Sequence, residues 1–373
     1  MNEKGNVVRR LSRIAVRTAS VLLALSAAGL SSAGMAEVRN HTANEAIFSL
    51  EPKPWMKGPT DDDFDDLPLE EKRIKALAEI SQGIRDVTQE GRIKAADAYW
   101  DSYMVNLPDA QMDEFYEYTM SARNNSPLRK GTQKYSEKNM RKFLRSVSNT
   151  DWGLYGRPAD AAYIVSRGTD LRLSPEQIKT LRGRTITDKA YLSTTLMDKP
   201  PRIFDKGNVI LRVRVPQGAP SAYLNNTAAV TGFMDQEELL LGRDTAINVT
   251  RSFCGTPDAS VEGGCKQWEV FGEVVLRQVQ LTVETSGDAG VKGHVVFHRA
   301  SDDNWVGIVP KGQLPRENKV KAQKAFTTAE GDFEFTGLPA GEYTVHVYPD
   351  KVSYAPLKSV DIMVGSSVLR SVR

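Results

Sequence analysis

The stretch Phe233-Met234-Asp235-Gln236-Glu237-Glu238-Leu239-Leu240-Leu241-Gly242-Arg243 sets three acidic residues and a glutamine directly before a run of leucines that stops at a glycine. The leucines predict a short buried strand over residues 237–241. Strand alternation then puts Gln236 and Glu238 on one face and Glu237 on the other. A carboxylate at the start of a buried strand has few waters around it and acts on its surroundings with a stronger field than a surface one. Taken alone, the stretch reads better as an exposed acidic edge, so its neighbours decide its meaning.

Two upstream stretches bear on it. Tyr191-Leu192-Ser193-Thr194-Thr195, following Asp188-Lys189-Ala190, supplies three successive small hydroxyls. Such groups can hydrogen-bond one another, a ligand and a nearby acid while leaving room for a bound nucleotide. Ser166-Arg167-Gly168 closes the β-branched run Tyr163-Ile164-Val165. The planar fork of an arginine donates two parallel hydrogen bonds to phosphate oxygens, and the glycine beside it allows close approach.

In this order the stretches resemble bacterial ADP-ribosyltransferase toxins of the Arg–Ser–Glu class, among them the binary actin-modifying toxins and the Rho-modifying exoenzymes. Those carry an Arg-Gly strand end, a Ser-Thr-Ser strand, and Glu/Gln-x-Glu ahead of a hydrophobic-Leu-Leu-Pro-Arg run. Upstream, Tyr118-Thr119 with Asn125 and Leu128-Arg129 is similar to the family's Tyr-Thr…Asn-x-x-Leu-Arg helix. The resemblance covers residues 95–280, and four stretches in order are far more specific than any one. Three positions depart from the pattern: Ser166 where an aromatic often stands, Thr195 for the last Ser, and Gly242 for Pro. Gln236 in place of Glu, with Phe233 three residues before it, is the form found in the Rho-modifying exoenzymes and implies a non-arginine acceptor.

The resemblance further implies NAD as co-substrate and no metal. Arg167 with Gly168, Asn125, Arg129, Ser193, Thr194 and Tyr118 would bind NAD, with Arg167 on the phosphates. Ser193 would position Glu238, which would stabilise the positive charge developing on the ribose as nicotinamide leaves. Gln236 and Phe233 would recognise the acceptor, a host protein ahead of a nucleic-acid base.

Composition agrees. The four histidines, His41, His294, His298 and His346, all lie outside the central segment, which argues against His-dependent hydrolysis and a His-rich zinc site there. Cys254 and Cys265 are the only cysteines, flank a short polar, Gly-rich segment and predict one disulfide. At the start, Lys4, Arg9, Arg10, Arg13 and Arg17 precede an apolar stretch over 19–30 and then small residues, the layout of a secretory signal peptide. Removing residues 1–36, with five basic and one acidic residue, turns the formal charge from +2 to −2, so no global positive field argues for nucleic-acid binding. No later stretch is apolar for long enough to span a membrane.

Residues 37–66 read as an acidic linker, with the run 61–66 solvated. Ile74, Leu77, Ile80, Ile84 and Val87 then predict an amphipathic helix from Leu69, with Pro68 at its start. Further helices are predicted over 95–105, 110–123 and 137–147, and a short capped one from Ser174 to Gly183. Strands follow at 209–215, 246–249 and 270–276. The expected fold is α+β, a helical N-terminal lobe with a split β-sandwich ADP-ribosyltransferase core over 67–280. Over 281–373, Gly331-x-Phe333-x-Phe335-x-Gly337-Leu338-Pro339-x-Gly341-x-Tyr343-x-Val345 resembles carboxypeptidase-regulatory-like and B-type surface-protein domains, a small β-sandwich acting as a spacer or stabilising module. The expectation is thus a secreted mono-ADP-ribosyltransferase, toxin or effector. The alternatives are an NAD glycohydrolase and a non-catalytic NAD-binding or adhesion protein.

Overall fold

A computed structural model of the chain describes residues 48–51, 62–84, 86–201, 205, 207–225, 236–276, 279–286, 289–297, 304–313, 323–326, 331–350 and 355–365. The predicted signal peptide and Phe233 lie outside these residues. The chain divides into two compact units, one of residues 1–135 with 156–276 and one of residues 136–155 with 277–373.

In the first unit, α1 (Leu69–Ile80) and α2 (Gln89–Asn106) precede α3 (Asp109–Ser121) and the short α4 (Asn125–Lys130). Thr88 caps α2, its side chain accepting from Gly91 N at 3.1 Å. Trp100 and Met104 of α2 and Phe115 of α3 are fully buried, and Trp100 meets Tyr163 at 5.6 Å between ring centroids.

The predicted first helix extended to Val87, but α1 stops at Ile80 and Gly83 turns the chain at φ +75°. Its apolar stripe also differs: Ile74 is 68% exposed, while Ala76 and Ile80 are buried with Phe64, Ile164, Phe253 and Phe271. Polar contacts complete the face, with Arg73 on Glu269 at 2.6 Å and Arg251 on Glu79 at 2.6 Å. Asp62–Asp65 forms one helical turn rather than plain linker. Asp63, Asp65 and Asp66 are exposed as expected, but Phe64 between them is buried in that cluster.

Nine strands make the sheet of this unit. They are β1 (Phe48–Glu51), β2 (Tyr163–Thr169), β3 (Thr185–Asp188), β4 (Leu192–Thr195), β5 (Val209–Val215), β6 (Ser221–Tyr223), β7 (Glu238–Leu241), β8 (Thr245–Pro257) and β9 (Cys265–Val275). Their order is β1-β3-β8-β9-β5-β2-β4-β7-β6, antiparallel throughout except for β5 beside β9. β2 pairs with β5 along its whole length but with β4 through one residue pair only, Ser166 opposite Thr195. The sheet is therefore nearly divided there, with β4, β7 and β6 as a separate leaf. The capping box at Ser174 and Gln177 opens the short α6 (Pro175–Lys179), and α5 (Glu137–Tyr155) lies before it in the chain. Cys254 and Cys265 form a disulfide across the β8–β9 hairpin.

The second unit comprises α5 and two antiparallel sheets. One joins β10 (Val279–Ser286), β11 (Gly290–Phe297) and, between later strands, β14 (Asp332–Phe335); the other is ordered β13 (Gln323–Phe326), β12 (Trp305–Pro310), β15 (Gly341–Tyr348) and β16 (Lys358–Val364). Val291, Val295, Phe333 and Phe335 of the first share a core with Val306, Ile308, Val345 and Val347 of the second. The alternation read in the sequence thus turns one side chain in two toward a shared apolar layer.

Candidate active site

The near-division of the sheet brings the predicted residues together. Glu238 is the first residue of β7 and pairs with Thr195 of β4. Ser193 lies two residues from Thr195 and so on the same face, diagonally across from Glu238. The Ser193 hydroxyl donates to Glu238 Oε1. Arg167, next to the single bridging residue of β2, donates through Nη1 to the Ser193 carbonyl. Arg167 and Glu238 are 4% and 3% exposed, so two opposite charges bonded to the same serine sit out of water. Gly168 is buried within β2 opposite Ile210.

The other two hydroxyls of the stretch bond backbone rather than acid. Thr194 Oγ1 donates to Leu239 O and Thr195 Oγ1 to Gln236 O, both at 2.6 Å. They fasten β4 to β7 and to the turn before it. That turn departs from the predicted alternation. β7 begins at Glu238, not 237, and Glu237 has a left-handed φ of +44°. Gln236 is buried, but this turn sets its direction, not a strand pleat.

The helical part of the site also differs from the resemblance. Tyr118 and Asn125 lie on two helices, because Ala122 at φ +44° ends α3. The break folds Asn125 back so that its Nδ2 donates to the Tyr118 hydroxyl at 3.1 Å. Asn125 and Arg129 are four residues apart on α4 and so share its face. Arg129 makes a two-bond pair with Asp188 at 2.9 and 2.7 Å, both side chains almost wholly buried. Asp188 was not singled out in the sequence. Its signal was an acid closing the strand before the Tyr-Leu-Ser-Thr-Thr stretch, where it also accepts from Ala190 N at 2.9 Å. Tyr191 packs edge-on against Tyr118 at 5.8 Å.

Charge ties the two halves. Burial holds the Arg167 guanidinium below its ordinary pKa, and the nearby positive Arg129 adds to this, against the opposing pull of Asp188, Tyr118 and Glu238. Burial, then the negative Glu238, pushes the Tyr118 hydroxyl up to about 12, so it stays neutral. Among the described residues, Arg129 Nη1 and Asn125 Oδ1 are buried without a hydrogen-bond partner. An unmatched buried donor on Arg129, whose charge is repelled by that of Arg167, fits an anionic ligand such as a diphosphate. No group of three or more metal-ligating side chains occurs among the described residues, and none of their helices is long and apolar enough to cross a membrane.

A model of the ADP-ribosyltransferase exoenzyme family matches residues 96–261. No curated protein matches the chain by sequence. Among solved structures, the chain is similar to Plx2a, an ADP-ribosyltransferase toxin from Paenibacillus larvae, at 20% identity over 50% of this chain and 96% of that one, with a TM-score of 0.41. It is similar to BECa, an ADP-ribosylating toxin of a binary enterotoxin of C. perfringens solved with NADH, at 18% identity, 50% and 48% coverage and a TM-score of 0.42. It is also similar to C2-I, the enzymatic component of the C2 toxin of Clostridium botulinum, at 20% identity, 48% and 47% coverage and a TM-score of 0.41. The match thus spans about half the length of each of these two toxin components. The family model matches the helices and strands that assemble Arg167, Ser193 and Glu238, and the chain is an NAD-dependent ADP-ribosyltransferase.

Proposed function

We propose that this protein is an exported mono-ADP-ribosyltransferase toxin that uses Glu238 to cleave NAD and Gln236 to direct the ADP-ribose to a non-arginine acceptor on a host protein. The observation that carries the reading is the buried Glu238 carboxylate held by the Ser193 hydroxyl, with Arg167 bonded to the same serine.

Arg167 and Arg129 hold the diphosphate of NAD, and Asn125 and Tyr118 line the same side. NAD brings a nicotinamide that is already cationic and departs as a neutral molecule, so no proton donor is needed, in keeping with a histidine-free segment. Glu238, fixed by Ser193, faces the ribose carbon on which positive charge grows and stabilises it without reorganising. Gln236, in the turn next to Glu238, presents its amide to the acceptor. The start of the chain, with its basic residues, apolar stretch and small residues, supports export with the signal removed near Glu37. The twin-sheet second unit supports a stabilising module similar to carboxypeptidase-regulatory-like domains.

The test is radiolabelled NAD with a host-cell lysate. Label is expected on a protein band, and Gln236→Ala is expected to lose labelling about tenfold or more while free nicotinamide release falls less than about threefold. Nicotinamide release with no labelled macromolecule would make the protein an NAD glycohydrolase. Equal loss of both activities in Gln236→Ala would remove Gln236 from acceptor recognition.

A further inference from the structure

Glu237 separates the two residues that matter most, and its backbone is left-handed, a conformation that L side chains other than Asn and Asp seldom adopt. Residues held in such regions persist only where their surroundings fix them. Here the peptide groups around it are tied on both sides. Leu196 N donates to Glu237 O at 3.0 Å, Leu224 N to Glu238 O at 2.9 Å, and Thr195 Oγ1 to Gln236 O. These bonds fix the chain on either side of Glu237 but leave its own side chain to be held by something else.

That holder is Tyr223, the last residue of β6. Its ring is buried, its backbone pairs opposite Leu239, and its hydroxyl donates to Glu237 Oε2. Burial, and then the bond to Glu237, holds this hydroxyl well above the usual tyrosine range, so it remains a donor across the working pH range.

We infer that Tyr223 is a positioning residue, which clamps the left-handed Glu237 through its carboxylate and thereby sets the aim of Gln236 relative to Glu238. The inference rests on the roles proposed above for Gln236 and Glu238. Glu238 has independent restraints, its pairing with Thr195 and its bond from Ser193. Gln236 stands before the strand and depends on the turn. Loss of the clamp therefore acts on transfer to the acceptor more than on NAD cleavage.

The experiment compares the full-length chain with Tyr223→Phe, Glu237→Gly and the double variant, reading nicotinamide release, label transfer and amide hydrogen exchange over residues 236–239. Tyr223→Phe is expected to lower transfer about tenfold, release less than about threefold, and to speed exchange in this segment. Glycine adopts a positive φ without a side chain to hold. Glu237→Gly is therefore expected to keep transfer near wild type, and the double variant to recover most of what Tyr223→Phe loses. A role in packing alone predicts no rescue, and that result would overturn the inference, as would unchanged transfer and exchange in Tyr223→Phe. If the wild-type chain releases no nicotinamide, the proposed function fails, while faster exchange in Tyr223→Phe would still establish the clamp and unchanged exchange would refute it.

Discussion

Arg129 and Asp188 show how a side chain becomes part of a site without touching the chemistry. Both are buried, and their two hydrogen bonds fix the guanidinium in one orientation with Nη1 left over. Removing one partner of such a pair leaves an uncompensated charge out of water. Asp188→Asn is expected to cost about 3–5 kcal/mol in urea unfolding. A loss below about 1 kcal/mol would mean that the pair is better solvated than its burial indicates. At this scale the grouping of three residues in the candidate site was legible in the sequence. Arg167, Ser193 and Glu238 are chemical types whose order alone suggested a shared task, and the fold makes them bonded neighbours. Asp188 was missed because its meaning comes from Arg129, 59 residues away, and only the packing of α4 against the end of β3 joins them. The backbone of Glu237 was missed because nothing about a glutamate announces a positive φ.

Among the elements, β7 carries a departure that the fold explains. The resembling toxins have proline where this chain has Gly242, and here the Gly242 N–H donates to Pro220 O at 2.9 Å. Proline has no such donor. A Cβ at this position would also lie 3.3 Å from Pro220 Cβ. Gly242→Pro, although it restores the family's residue, is expected to destabilise the protein by about 1–3 kcal/mol, read as a lower thermal midpoint. An unchanged or raised midpoint would show that the β6–β7 leaf does not depend on that bond. Helix and strand types were readable from periodicity, whereas faces and ends were less so. Of the predicted stripe, Ile80 faces the core while Ile74 and Leu77 face outward, because α1 docks through Arg73 and Glu79 as well as through Ala76 and Ile80. Residues Ile84 and Val87 continue the spacing beyond the helix, but Gly83 has already turned the chain.

For the whole molecule, the boundaries in sequence and in space differ. Residues 136–155 lie within the segment that matches the family, yet they belong to the same compact unit as residues 277–373. Phe143, Val147 and Leu154 of α5 are buried. A chain ending at Leu276 is expected to melt at a lower temperature than the full chain and to bind a hydrophobic dye, since part of a compact unit would be missing. Unchanged melting and no dye binding would make the C-terminal strands independent of α5. The proposed catalysis turns on one carboxylate, Glu238, and nicotinamide release from NAD by the full chain and by Glu238→Gln tests it. The amide keeps the shape of the side chain and can still accept from Ser193, so folding is expected to be unchanged, while release should fall at least about a hundredfold. A Glu238→Gln protein that is folded, binds NAD and releases nicotinamide at the wild-type rate would contradict the account.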